Sequence, residues 1–144
     1  MTTKTSDKLP KKNNASDGKK AHRDSVTYKV GRIKFNSWAA KVISAGNIII
    51  DETELVHIAK RHKKELEQIG LTAFDFVKFI ADNFNRIYKG SGDSVLLVVK
   101  RENVSNTAAI EVTAGRPIQH KIKTAMPIKN AVLLKKELLC ANDR

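Results

Sequence analysis

Phe74-Asp-Phe-Val-Lys-Phe-Ile-Ala-Asp-Asn-Phe-Asn-Arg-Ile-Tyr-Lys-Gly-Ser-Gly-Asp-Ser-Val-Leu-Leu-Val-Val99 contains the change of rhythm that decides the fold. Phe74, Val77, Ile80, Ala81, Phe84 and Ile87 recur at helical spacing, which places them on one face. Thr72, with Asp75 three residues on, has the form of a helix start. The spacing predicts a helix from Thr72 to about Tyr88. Gly90-Ser-Gly92 then breaks the chain. Val95-Leu-Leu-Val-Val99 is a continuous β-rich apolar run, the pattern of a central strand.

Towards the N-terminus, Asp51 and Glu54 repeat the capping pattern, and the helix they open runs to about Ile69, with Gly70 as its stop. Asn47-Ile-Ile-Ile50 is an extended lead-in. Ser37 to Ser44 is short and apolar and predicts a helix ending at Gly46. Tyr28 to Phe35 alternates as a short strand. Towards the C-terminus, Ala108 to Thr113 and Pro117 to Thr124 alternate, and Val132 to Leu139 fits either a strand or a helix. Helices followed by strands predict an α+β fold, with N-terminal helices packed on a four-stranded antiparallel β-sheet.

Charge points to the partner. The 144 residues carry 27 Lys and Arg against 15 Asp and Glu, a formal net charge of +12. Such a field draws polyanions and speeds encounter with them. The first 27 residues, rich in Lys, Asn and Ser, read as a basic disordered tail or linker, with a single domain from 28 to 144. The tail does not account for the charge. After Arg32 there remain 18 basic and 12 acidic residues. The single cysteine, Cys140, cannot form an internal disulfide and reads as a small apolar residue. No apolar run is long enough to span a membrane, and the N-terminus lacks a secretory h-region.

The first long helix carries the first chemical candidate. Leu55, Ile58, Ala59, His62, Leu66 and Ile69 share one helical face, so His62 points inward from a strongly basic stretch. His57, Lys60, Arg61, Lys63 and Lys64 surround it in sequence. A satisfied core histidine is the competing interpretation of His62, and a solvated residue that of His57. The two histidines project about 140° apart, which excludes a zinc pair on one helix face. No metal and no cofactor are assigned. In the third predicted strand, alternation puts Ile118, His120, Ile122 and Thr124 on one face and Gln119, Lys121 and Lys123 on the other. Thr124 ends this strand, and Lys100 and Arg101 end the first. There is no Gly-rich phosphate loop and no nucleophile elbow.

His57-Ile-Ala-Lys-Arg-His62, the Phe-rich helix, the Val95 to Val99 strand and Ile122-Lys-Thr-Ala-Met-Pro127 together resemble the barnase/EndoU/colicin/RelE-like ribonuclease superfamily. The closest likeness is to its branch of phage polyvalent proteins and bacterial competition toxin domains, over roughly Ile48 to Leu139. The resemblance implies two helices on a four-stranded antiparallel sheet and metal-free cleavage of RNA, tRNA included. It maps the helix-borne histidine onto His62, a companion onto His57, and the strand-end hydroxyl onto Thr124. Position 120 is often aromatic in that family; here it is His120.

In the mechanism so implied, His62 supplies acid or base chemistry and His57 or His120 the second proton carrier. Lys60 and Arg101 stabilise the phosphorane, and Thr124 donates to a phosphate oxygen. Arg61, Lys64, Lys100, Lys121 and Lys123 are the expected RNA-binding cations. A monomer acting in the bacterial cytoplasm is expected, delivered by a secretion system or a phage, without membrane insertion, with an acidic immunity protein as partner. The alternative is a non-catalytic basic nucleic-acid-binding module, phage-encoded. A third is an interaction protein docking an acidic partner through the same basic face.

Overall fold

The computed structural model describes residues 26–113 and 115–142. The chain opens with β1 (Thr27–Ile33), a short 3₁₀ turn (Trp38–Lys41) and β2 (Gly46–Asp51). Three helices follow: α1 (Glu52–Arg61), α2 (Lys63–Ile69) and α3 (Ala73–Asn83). The rest is β3 (Arg86–Lys89), β4 (Val95–Val99), β5 (Val104–Val112), β6 (Gln119–Lys129), the single turn α4 (Asn130–Leu133) and β7 (Leu138–Ala141). The strands form one seven-stranded sheet in the order β1-β2-β6-β5-β4-β3-β7. Every pairing is antiparallel except β2 with β6, which is parallel.

The expected four-stranded antiparallel sheet behind N-terminal helices is therefore wrong. Two strands precede the helices, the sheet has seven strands, and it is mixed. The physical reason lies in β2. Ile48 and Ile50 are fully buried and Ile49 nearly so. A strand covered on both faces shows no alternation, so Asn47 to Ile50 looked like a lead-in. Its parallel partner lies about seventy residues on, beyond any local signal.

The helices were displaced too. The predicted Asp51-to-Ile69 helix breaks at His62, whose backbone leaves the helical region at φ −121° and ψ 33°. No glycine or proline stands there. Lys60-Arg-His-Lys-Lys64 crowds basic residues into little more than one turn, and a break there relieves like-charge contacts such as Lys60 with Lys64. The predicted Thr72-to-Tyr88 helix stops at Asn83. Phe84 and Ile87 continue the helical spacing by coincidence, while Arg86 to Lys89 pairs with β4 and β7. The predicted helix over Ser37 to Ser44 is only the 3₁₀ turn.

The sheet curls around α3. Phe76, Val77 and Ile80 of this helix are fully buried. The core they enter draws on six strands: Val30 and Ile33 of β1, Ile48 and Ile50 of β2, Ile87 of β3, Leu97 and Val99 of β4, Ala108 and Ile110 of β5, Ile122 and Ala125 of β6. Gly31 lets α3 lie against β1, since a Cβ there would come within 2.8 Å of the Ala81 Cβ. Laid flat, strands spaced about 4.8 Å apart would hold β1 and β7 about 29 Å apart. The link from Ile33 to Trp38 reaches at most about 18 Å. Yet the Trp38 ring meets Phe84 at 5.5 Å, and the Trp38 carbonyl accepts a bond from the Cys140 thiol of β7 at 3.8 Å. Only a curled sheet satisfies both. The helices thus fill the concave face. On the convex face Leu133 of α4 covers Tyr88, Leu96 and Val98, with Ala109 and Ile128 beside them.

Candidate nucleic-acid interface

β6 carries the first correction to the site. The strand does not end at Thr124 but runs on to Lys129, opposite Val104. Pro127 is tolerated because the pairing with β2 reaches only Lys121, which leaves one side of β6 free. Ile110 pairs with Ile122 and Ala109 with Thr124, so Lys123 is an inserted bulge residue. Alternation restarts one residue late. Thr124 falls on the convex face with Lys121, not on the concave face with His120 and Ile122.

His120 is fully buried. Its Nε2 donates to the Ser44 carbonyl at 2.7 Å, and its Nδ1 is buried without a partner. Burial pushes its pKa down, against the opposing pull of the Ser44 bond. It holds the connection before β2 onto β6 and offers no atom to a macromolecular substrate.

His62 differs. It keeps 13% of its side-chain surface, and its Nδ1 stands 3.7 Å from the Glu65 carboxylate, too far for a hydrogen bond. Its Nε2 is buried with no partner among the described residues. Nε2 of His62 thus shares with Nδ1 of His120 the state of a buried nitrogen without a partner among the described residues. Lys60, Arg61, Lys63 and Lys64 are all exposed around it, while Ala59, expected on the inward stripe, is exposed as well. His57 is half exposed, with Nδ1 3.9 Å from Glu54. Among the described residues no hydrogen bond or ion pair joins His62 to His57, Thr124, Arg101 or His120.

The convex face holds a second group. Lys121 Nζ lies 2.6 Å from Asp51 Oδ2, and the Thr27 hydroxyl donates to Asp51 Oδ1 at 2.8 Å. Asp51 therefore does not cap α1 with its side chain, as its position had suggested. Burial works to raise this carboxyl, but the bonds from Lys121 and Thr27 and the nearby charge of Lys123 outweigh it and hold it below the ordinary range. Lys121 is thus committed to Asp51, while Lys123 is exposed.

A third group follows β4. The Lys100 N–H donates to Asn85 Oδ1 at 2.9 Å. The exposed Arg101 guanidinium lies 5.7 Å from the Phe79 ring centroid. Sequence reasoning missed the residues that support it, Ser105 and Asn130, because their contacts span up to 29 residues and leave no periodic trace. Among the described residues no three His, Cys, Asp or Glu side chains gather as a metal site, and no helix is long and apolar enough to cross a membrane. No family model, curated protein or solved structure gives a significant match to this chain.

Proposed function

We propose that this chain is a metal-independent endoribonuclease of the toxin type, with His62 as its principal proton-transfer group. The observation that supports this is the His62 ring: its buried Nε2 has no hydrogen-bond partner among the described residues, part of the side chain meets solvent, and exposed cations surround it. Unmet polar atoms are rare in folded proteins because each costs about 1–3 kcal/mol, and a functional role is a standard reason to keep one. A histidine side chain is the commonest group for giving or taking a proton in general acid–base catalysis.

RNA carries its own nucleophile. A base removes the 2′-hydroxyl proton, the 2′-oxygen attacks phosphorus, the bond to the 5′-oxygen breaks, and an acid protonates that oxygen. The products are a 2′,3′-cyclic phosphate and a 5′-hydroxyl. The cations offset charge on the phosphorane. Exposed Lys60 and Arg61 adjoin His62, and His57 is the second carrier compatible with exposure. An acidic immunity protein would cover this basic surface.

The test is cleavage of total RNA by purified protein in EDTA. Wild type is expected to cut and leave cyclic phosphate ends, and His62→Ala to lose at least a hundredfold in rate. Equal rates would sink the assignment.

A second reading, a basic module that binds RNA without cutting it, is favoured by one fact. Among the described residues no hydrogen bond joins His62 to a second candidate proton carrier. It predicts salt-sensitive binding without cleavage, and no growth arrest on induction.

A further inference from the structure

The turn after β4 is built more tightly than its exposure requires. Both backbone polar groups of Arg101 are held by side chains. Its N–H donates to Ser105 Oγ at 3.0 Å, and its carbonyl accepts from Asn130 Nδ2 at 2.8 Å. The same Asn130 amide donates to the Glu102 carbonyl at 2.8 Å, while Asn130 Oδ1 accepts the Ser105 hydroxyl at 2.6 Å. Ser105 is fully buried. The Asn130 N–H also donates to the Asn103 carbonyl at 2.9 Å. One asparagine therefore ties the three residues Arg101, Glu102 and Asn103.

The product of this bracing is a cation held in place. The Arg101 side chain leaves the braced turn and lies over Phe79 of α3, with its surface exposed. A guanidinium backed by an aromatic ring loses freedom before binding, so less is lost on contact with a ligand. Its planar fork suits a phosphodiester in two-point contact, and its uncovered face suits a stacked base. Lys100, its N–H fixed on Asn85, adds charge beside it.

We propose that Arg101 on Phe79 is a preformed site for one phosphodiester of single-stranded RNA, and that Asn130 and Ser105 are its positioning residues. This rests on the reading of the protein as one that engages RNA, but not on His62 or on cleavage.

The experiment uses the full chain and a fluorescent single-stranded 2′-O-methyl oligoribonucleotide, which has no free 2′-hydroxyl and cannot be cut. Binding is measured by anisotropy over a range of salt. Arg101→Ala is expected to weaken binding about tenfold and to flatten the salt slope by about 0.7, the share of one phosphate on a single strand. Asn130→Asp keeps the acceptor for Ser105 but loses both donors to the turn. It is expected to reproduce most of that loss and the same change of slope. In Arg101→Ala/Asn130→Asp the two effects should not add, because Asn130 acts through Arg101. Ser105→Ala is the independent check should Asn130→Asp not fold, and should likewise be silent once Arg101 is removed. Unchanged binding by Arg101→Ala, full additivity in the doubles, or no binding by wild type would each overturn the proposal. Binding that depends on Arg101 and Asn130, with no cleavage of natural RNA, would uphold it while removing the ribonuclease reading.

Discussion

His120 donates its Nε2 proton to the Ser44 carbonyl, which leaves Nδ1 bare inside the core. Protonation would place an N–H on Nδ1 with nothing to receive it. The folded pKa is thus lowered by burial relative to the unfolded chain, whose value is about 6.5. Above that pH both states are neutral and the residue adds no pH dependence. As pH falls below it, the unfolded chain takes up a proton that the native protein refuses, so stability drops until the folded pKa is reached. Urea midpoints between pH 7.5 and 5 should fall for wild type, and fall less for His120→Leu. Parallel curves would show that the histidine is not neutral in the native state. Gly31 makes a steric prediction. Gly31→Ala would press its Cβ into Ala81, with an expected cost of about 1–3 kcal/mol read as a lower urea midpoint. An unchanged midpoint would mean that α3 can retreat from β1.

At the scale of elements, the bulge at Lys123 sets which residues of β6 face the core. Before it Ile122 points inward; after it Ala125 does, fully buried. Deleting Lys123 would remove the extra residue and leave Ile122, Thr124 and Ala125 in plain alternation opposite Ile110, Ala109 and Ala108, so each keeps its face. The deletion should therefore retain a cooperative thermal transition, and Lys123→Ala should change stability by less than about 0.5 kcal/mol. Circular dichroism melts of the two variants check this, and loss of the cooperative transition in the deletion variant would contradict the pairing. The bulge also explains what was legible in the sequence. Residues from Thr72 onward announced a helix because its buried side chains recur every three or four positions and Thr72 caps it. Alternation in β6 was visible, but a bulge has no signature in hydropathy, so Thr124 was assigned to the wrong face. β3 and β7 have four residues each, too few to establish a period. Of the stripe expected to point inward around His62, Ile58 and Leu66 are buried but Ala59 and Ile69 are exposed, and the unpartnered Nε2 of His62 depends on tertiary neighbours that no spacing encodes.

For the whole molecule, charge is the property that sequence and fold express together. Seven Lys and Arg precede Ser25, and the cations at the α1–α2 junction, after β4 and on β6 are placed by the fold. Binding to single-stranded RNA should weaken steeply with salt. A chain lacking residues 1–25 should show a shallower but still distinct dependence, measured as the slope of log Kd on log salt. Loss of all salt dependence would confine the polyanion contacts to those first residues. The curl of the sheet has a different consequence. The chain has one Trp and one Cys. Trp38 follows the first strand, Cys140 lies in the last, and their contact closes a loop of 102 residues. Non-local contacts of this kind are slow to form. The molecule thus carries an intrinsic optical clock for a long-range assembly step: Trp38 emission, followed in stopped-flow refolding with Cys140→Ser as the control, should report when the two ends of the sheet meet.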